Sequence, residues 1–175
     1  LLESYKAMLV KLFDLCGMSE PEQRAANVVA IEKALAGFSW TSVENRDYTR
    51  QYNPMSSAQV DASYPAFGFE SFFAESGIPP QEKIVVQQPS FFQGFDALYA
   101  KIDLEQVKDY VAGQFITGAA GFLSDDFYKA SFDFFSTAMS GVTEQKARWK
   151  RAMSVPNGIL GEAVGKMYVA KYFPE

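Results

Sequence analysis

Few side chains in this chain could take part in chemistry. Its 175 residues include no His and a single Cys, Cys16. A nucleophilic Cys needs a neighbouring base, which is usually His, and a tetrahedral zinc site takes most of its ligands from Cys and His. We therefore predict no catalytic, cofactor-binding or metal-binding residue in this chain. Cys16 itself is expected to be a small buried hydrophobic residue on an apolar helix face.

Charge and hydropathy argue against two classes of partner. The net charge is −5, whereas nucleic-acid binding relies on clustered Lys and Arg that neutralise phosphates. The only basic cluster, Lys146–Arg151, is too short to form a binding stripe. No run of 18 apolar residues occurs, so we predict no transmembrane helix in this chain. The acidic pair Asp125-Asp126 is expected to stabilise a helix N-terminus through the helix dipole.

Apolar residues recur at steps of three and four along most of the chain, which predicts helices. The first helix has an apolar face from Leu2 to Cys16 and ends at Gly17. Lys83–Gln87 is the one predicted strand, and it must pair elsewhere in the fold or outside this chain. We expect an all-α fold, a multi-helix lobe with at most one or two short strands, in a single helical domain over residues 1–175. Further helices are predicted over residues 20–36, 43–52, 57–63, 68–76, 90–101, 104–122, 125–140, 144–155 and 158–172.

Side-chain caps predict where three of these helices begin. Ser19 and Asp103 each have a Glu or Gln three residues later, which is the spacing of a capping box. Thr143 is the predicted cap of the helix that should break at Pro156. The predicted apolar face of the helix after Asp103 consists of Leu104, Val107, Val111, Phe115, Ile116, Ala119 and Phe122.

Trp149 lies in a basic helical turn between Arg148 and Lys150. We predict that Trp149 inserts into the core. Arg148 and Lys150 then either remain solvated or anchor a second lobe, with the Arg holding a carboxylate. On the next helix, Gly161 and Gly165 lie one turn apart. Glycine costs about 0.8–1 kcal/mol in a helix interior relative to Ala, so this pair predicts close packing of another backbone against that face.

Several short motifs follow one another from about Met8 to Pro174. They are Arg46-Asp47, Tyr52-Asn53-Pro54-Met55, Gln87-Gln88-Pro89, Ala147–Arg151, Gly161–Val169 and Tyr172-Phe173-Pro174. Their order and spacing resemble the N-terminal region of the neprilysin and endothelin-converting-enzyme family of zinc metallopeptidases. Animal members have a Cys after the basic pair, where this chain has Ala152. The resemblance is therefore to a bacterial member.

This resemblance implies a fragment of a larger peptidase from which the catalytic zinc lobe is absent. The catalytic lobe of that family carries a His-Glu-x-x-His helix, which this chain lacks. The resemblance implies a non-catalytic helical lobe that covers the cleft and restricts substrates to short peptides. Its partners would be the catalytic lobe and those peptides, with Arg148 and Lys150 as candidate lobe-interface residues. Zinc is expected in the parent protein and not in this chain, and the parent is expected to be exported to the periplasm or cell envelope.

A different class of function stays open at this point. A pack of helices rich in Phe would also suit a stand-alone helical module that binds a peptide or a protein. The two hypotheses differ in what the encoded protein contains beyond Glu175. If the chain is a piece of a larger protein, it should also expose an apolar patch where the remainder packs.

Overall fold

The computed structural model describes residues 1–173, so Pro174 of the last motif lies outside the described residues. Within them the chain forms ten α-helices and two short strands. This confirms the predicted all-α fold with at most two short strands. The helices belong to two compact units, Leu1–Ser131 and Phe132–Glu175. The single domain over residues 1–175 stays a prediction.

The core of the first unit is built from three helices, α1 (Leu2–Leu15), α2 (Pro21–Phe38) and α7 (Leu104–Ala119). Gly113 of α7 lies where these helices meet. A Cβ there would be 3.0 Å from Cγ2 of Val28 and 3.3 Å from Cζ of Phe13, so only glycine leaves ordinary contact distances. Each fully buried Leu or Phe contributes roughly 1.5–3 kcal/mol. The largest fully buried side chains are Phe13, Leu9, Leu12 and Val28.

The turn between α1 and α2 corrects two predictions. Cys16 is exposed, because α1 ends at Leu15 and the chain turns away at Gly17, whose φ is 68°. Ser19 is not the cap of α2. Glu20 occupies the N-cap position with a left-handed backbone and no side-chain cap hydrogen bond. This conformation moves Ser19 out of the capping position, and its carbonyl oxygen accepts a hydrogen bond from Nε of Arg24 at 2.7 Å.

Short elements connect α2 to the second half of the unit. The two strands pair antiparallel, with Pro54 opposite Val85 and Met55 opposite Ile84. The strand predicted within residues 83–87 is therefore confirmed, and its partner lies inside this chain. The elements are a 3₁₀ turn (Glu44–Arg46), α3 (Tyr48–Gln51), β1 (Pro54–Met55), α4 (Ser57–Ser63), α5 (Phe69–Glu75) and β2 (Ile84–Val85).

Two of the motifs that carry the family resemblance connect the segments next to this small sheet. Asn53, from the Tyr-Asn-Pro-Met motif, donates from Nδ2 to the Val86 carbonyl at 3.1 Å. Gln88, from the Gln-Gln-Pro motif, donates from Nε2 to Oδ1 of Asn45 at 3.0 Å. Its Oε1 accepts from the Trp40 amide at 2.9 Å. Both side chains thus join segments far apart in sequence, and their role in this structure is architectural.

The unit closes with α6 (Pro89–Tyr99), α7, a 3₁₀ turn (Ala120–Phe122) and α8 (Asp125–Phe132). The capping box of α7 is confirmed, since Asp103 accepts from the Glu105 amide at 2.7 Å and Gln106 caps the Asp103 amide in return. On α6, Gly94 faces the ring of Phe38. A Cβ at Gly94 would overlap that ring, 2.8 Å from Cδ2 and closer to two other ring atoms.

The second unit contains a π-helical segment (Asp133–Ala138), α9 (Arg148–Ile159) and α10 (Gly161–Tyr172). Thr143 is not a cap, because α9 begins only after Ala147. Pro156 does not end α9 either. The ring removes one backbone donor, but the helix continues for three residues beyond it. Apart from the chain neighbours and the backbone of α10 itself, no atom of the described residues lies within 4 Å of a Cβ built at Gly161 or Gly165, so the predicted close packing there is wrong for this chain.

Candidate functional site

The two helices of the second unit bury none of their side chains. Within the described residues, neither α9 nor α10 has a buried position. Met167, Tyr168 and Val169 follow one another on α10, and each is more than half exposed. Successive helical residues point about 100° apart, so these three cover most of the helix circumference. The charged residues of α10 are Glu162, Lys166 and Lys171, so its surface is mixed, and an exposed apolar patch of this kind marks a site of contact with another protein surface.

The candidate interface residues lie on the first turn of α9. Arg148 and Lys150 are both exposed, and Nζ of Lys150 lies 5.4 Å from the ring centroid of Trp149. Trp149 is 65% exposed, so the prediction that it inserts into the core is wrong for this chain. The physical reason is that α9 contributes no buried residue to its unit. An apolar ring with flanking cations forms a surface suited to packing against another protein surface.

A second exposed apolar surface follows α7 in the first unit. Leu104, Val111 and Phe115 are spaced by 7 and 4 residues, which places them within about 20° of one line along α7, and Phe122 follows in the 3₁₀ turn after the helix. We call these four residues the α7 stripe. Phe115 and Phe122 are each 76% exposed. The predicted apolar face is therefore only partly buried, through Ile116, because α1 and α2 pack on the opposite side around Asp109 and Gly113.

An aromatic cavity of about 520 Å³ opens in the first unit. Its wall is formed by side chains of α2, α4, α5, α6 and α7 and by the β2 strand. The rings contact one another, as in the edge-to-face pair of Tyr64 and Phe69, whose centroids are 6.0 Å apart. Burial raises the pKa of Tyr64 above its ordinary value, because the ionised phenolate would lose its hydration. Such a surface can hold an apolar group, and it offers no nucleophile or base at neutral pH.

Two polar clusters at helix contacts were not predicted from the sequence. Asp109 is buried on α7, where it is ion-paired with Arg24 and accepts from Nδ2 of Asn27 at 2.8 Å. Glu32 accepts from the Tyr5 hydroxyl at 2.8 Å and from Gln114 at 2.6 Å. Both clusters join α2 to its neighbours. They satisfy charges at the helix contacts and lie among structural side chains, so we assign them to the stability of the unit.

The chain offers no set of ligands that would fit zinc. It has no His, and Cys16 is exposed. Within residues 1–173, no group of three or more His, Cys, Asp or Glu side chains could hold a metal ion. None of the helices described there is long and apolar enough to cross a membrane. We derive no chemical step through a metal in this chain.

Comparison with known proteins identifies the family of this chain. A family model described as peptidase family M13 matches residues 1–175. The chain belongs to this family. It corresponds to the N-terminal region of M13 peptidases, as its motifs predicted. It is 29% identical over 177 residues to the neutral endopeptidase of Lactobacillus helveticus, covering 100% of this chain and 27% of that protein. It is 28% identical over 191 residues to neprilysin-2 of Drosophila melanogaster, covering 99% of this chain and 24% of that protein.

Solved structures of a zinc metalloprotease show the same fold. ZMP1 of Mycobacterium tuberculosis, in its open state, matches with a TM-score of 0.88 at 29% identity, covering 99% of this chain and 28% of that one. Its complex with an inhibitor matches with a TM-score of 0.90 at 29% identity, covering 98% and 27%. The M13 chain described here therefore spans roughly a quarter of the length of these relatives.

Proposed function

We propose that this chain is the non-catalytic helical lobe of a neprilysin-like zinc metalloendopeptidase, and that this lobe covers the catalytic cleft and restricts substrates to short peptides. Membership of family M13 supports the peptidase assignment. The composition of the chain supports the non-catalytic role, since it has no His to bind zinc or to act as a base. Zinc would be held by the part of the parent outside this chain.

The observation that carries this proposal is the exposed apolar surface of α9 and α10. Two helices without a buried side chain cannot derive their stability from their own unit. Contiguous apolar surface of this kind marks a site of protein contact. We infer that α9, α10 and the α7 stripe face other parts of the parent, including its catalytic lobe. Arg148 and Lys150 would then lie at the lobe interface, where the Arg can hold a carboxylate through two parallel hydrogen bonds.

A peptide length series tests the restricting role. The parent protein and its Arg148→Ala variant would cleave peptides of increasing length that share one scissile sequence. If Arg148 holds the lobes together, the variant should accept longer peptides while its turnover of the shortest peptide stays unchanged. Lys33→Ala removes an exposed cation from α2 and serves as the control. An unchanged length profile in a stable Arg148→Ala variant would contradict this role of Arg148.

A stand-alone binding module is the second candidate, and the aromatic cavity is the observation that favours it. The encoded sequence beyond Glu175 separates the two functions. A His-Glu-x-x-His motif followed by a further Glu would support the peptidase, and a stop codon would support the module. By the same family resemblance we propose that the parent is exported, which fractionation of cells into cytoplasm and envelope would test.

A further inference from the structure

The aromatic cavity of the first unit has the size and the wall of a ligand-binding pocket. Its volume of about 520 Å³ lies within the roughly 300–1,000 Å³ that is typical of small-molecule sites. A purely apolar cavity of about 150 Å³ is large enough to bind benzene. This pocket therefore has room for a body of two fused rings with space for one substituent.

The wall of the pocket restricts the charge of its ligand. It is formed by Phe and Tyr rings and by branched aliphatic side chains, with no Asp, Glu, Lys or Arg among its lining residues. A charged group that entered would lose its hydration without gaining a counter-ion. The ligand should therefore be neutral and mainly aromatic, so that it can pack edge-to-face or offset against rings such as Phe69 and Phe92.

Tyr64 provides a polar contact in this wall. Its side chain is 4% exposed and its ring lies 5.6 Å from that of Phe92. In the part of the chain that the structure describes, no protein group is hydrogen-bonded to the Tyr64 hydroxyl, and its oxygen is not among the fully buried polar atoms that lack a partner, so it reaches solvent. Tyr110 is the other phenol in the lining. The Tyr64 hydroxyl can therefore donate a hydrogen bond to an oxygen of a bound ligand in place of a water molecule.

We propose that this pocket binds a neutral aromatic molecule of about two fused rings that carries one oxygen function, with the oxygen hydrogen-bonded to Tyr64. None of the lining residues belongs to α9, α10 or the α7 stripe. The inference therefore does not depend on the proposed peptidase function, and either can fail without the other.

Calorimetric titration of the full-length protein with 2-naphthol tests this inference. We expect one site per chain with a dissociation constant below about 1 mM. 2-Naphthoate has the same rings but a negative charge, and it should bind at least tenfold more weakly. Tyr64→Phe should weaken the binding of 2-naphthol roughly threefold to tenfold, the usual range for one neutral hydrogen bond. The thermal stability of this variant should not fall, because the removed hydroxyl has no partner among the described residues.

Two further variants complete the test. Val85→Trp places a large ring at the pocket wall and should abolish binding of 2-naphthol. Tyr48→Phe removes a phenol that is 81% exposed and lies outside the pocket, so this variant should bind 2-naphthol with the affinity of wild type. The proposal is overturned if wild type shows no saturable binding at about 1 mM, if 2-naphthoate binds as tightly as 2-naphthol, or if folded Tyr64→Phe and Val85→Trp variants bind as wild type does.

Discussion

Trp149 offers a direct measure of whether the second unit is covered in the parent protein. The ring is 65% exposed in this chain. A buried aromatic side chain removes about 150–250 Å² from water, so the remaining third corresponds to about 50–90 Å². At roughly 25 cal/mol per Å², truncation to Ala should cost about 1–2 kcal/mol where only this chain surrounds the ring. If the rest of the parent covers the ring, the cost should rise to about 3–5 kcal/mol.

Fluorescence reports the same difference without unfolding the protein. Trp40 is the only other Trp, so a Trp40→Phe background isolates the emission of Trp149. In the full-length protein we expect blue-shifted emission and little quenching by acrylamide. In the 175-residue chain we expect red-shifted, readily quenched emission.

Two results would refute this reasoning. One is emission from Trp149 in the full-length protein that acrylamide quenches as readily as a free indole. The other is a Trp149→Ala cost of only about 1–2 kcal/mol in the full-length protein. Either would show that α9 is solvated in the parent, and the interface at Arg148 and Lys150 would lose its support.

Three further predictions concern the first unit, each checked by denaturant unfolding. Gly94→Ala should destabilise it by about 1–3 kcal/mol through overlap with the Phe38 ring, whereas in a Phe38→Ala background the same change should be neutral or stabilising by up to about 1 kcal/mol. Asp109→Ala should cost about 3–5 kcal/mol, because it leaves a partly buried guanidinium without its carboxylate. Burial raises the pKa of Tyr5, and its hydrogen bond to Glu32 adds to the rise. The folded state then binds the phenol proton more tightly, so stability should be unaffected below about pH 10 and fall above it. Tyr5→Phe should flatten that fall.

Local features of this protein were predictable from the sequence. The capping box at Asp103 and the end of the first helix at Gly17, whose φ is 68°, both form as predicted. Each depends on residues within a few positions of one another, so the sequence carries all the information that they need. Composition alone also determines that this chain cannot supply the zinc ligands of its family, because it contains no His.

Local spacing predicted the wrong helix caps where the backbone adopts a different turn. Ser19 has the spacing of a cap, but the left-handed conformation of Glu20 starts α2 one residue later. The prediction that Thr143 caps a helix is wrong for a similar reason, because the chain stays non-helical through Ala147. The sequence shows which caps are available, and the path of the connecting turn decides which of them is used.

Only the tertiary structure decided which surfaces are buried. The period of α7 identifies an apolar stripe through Phe115, yet the helix turns Asp109 toward the core and leaves Phe115 exposed. Asp109 can be buried because Arg24 and Asn27 meet it from 85 and 82 residues away. Helical periodicity shows that a face is apolar, but burial depends on what packs against that face. For α1 and α2 the partner lies within this chain, whereas within the described residues α9, α10 and the α7 stripe have none that buries them.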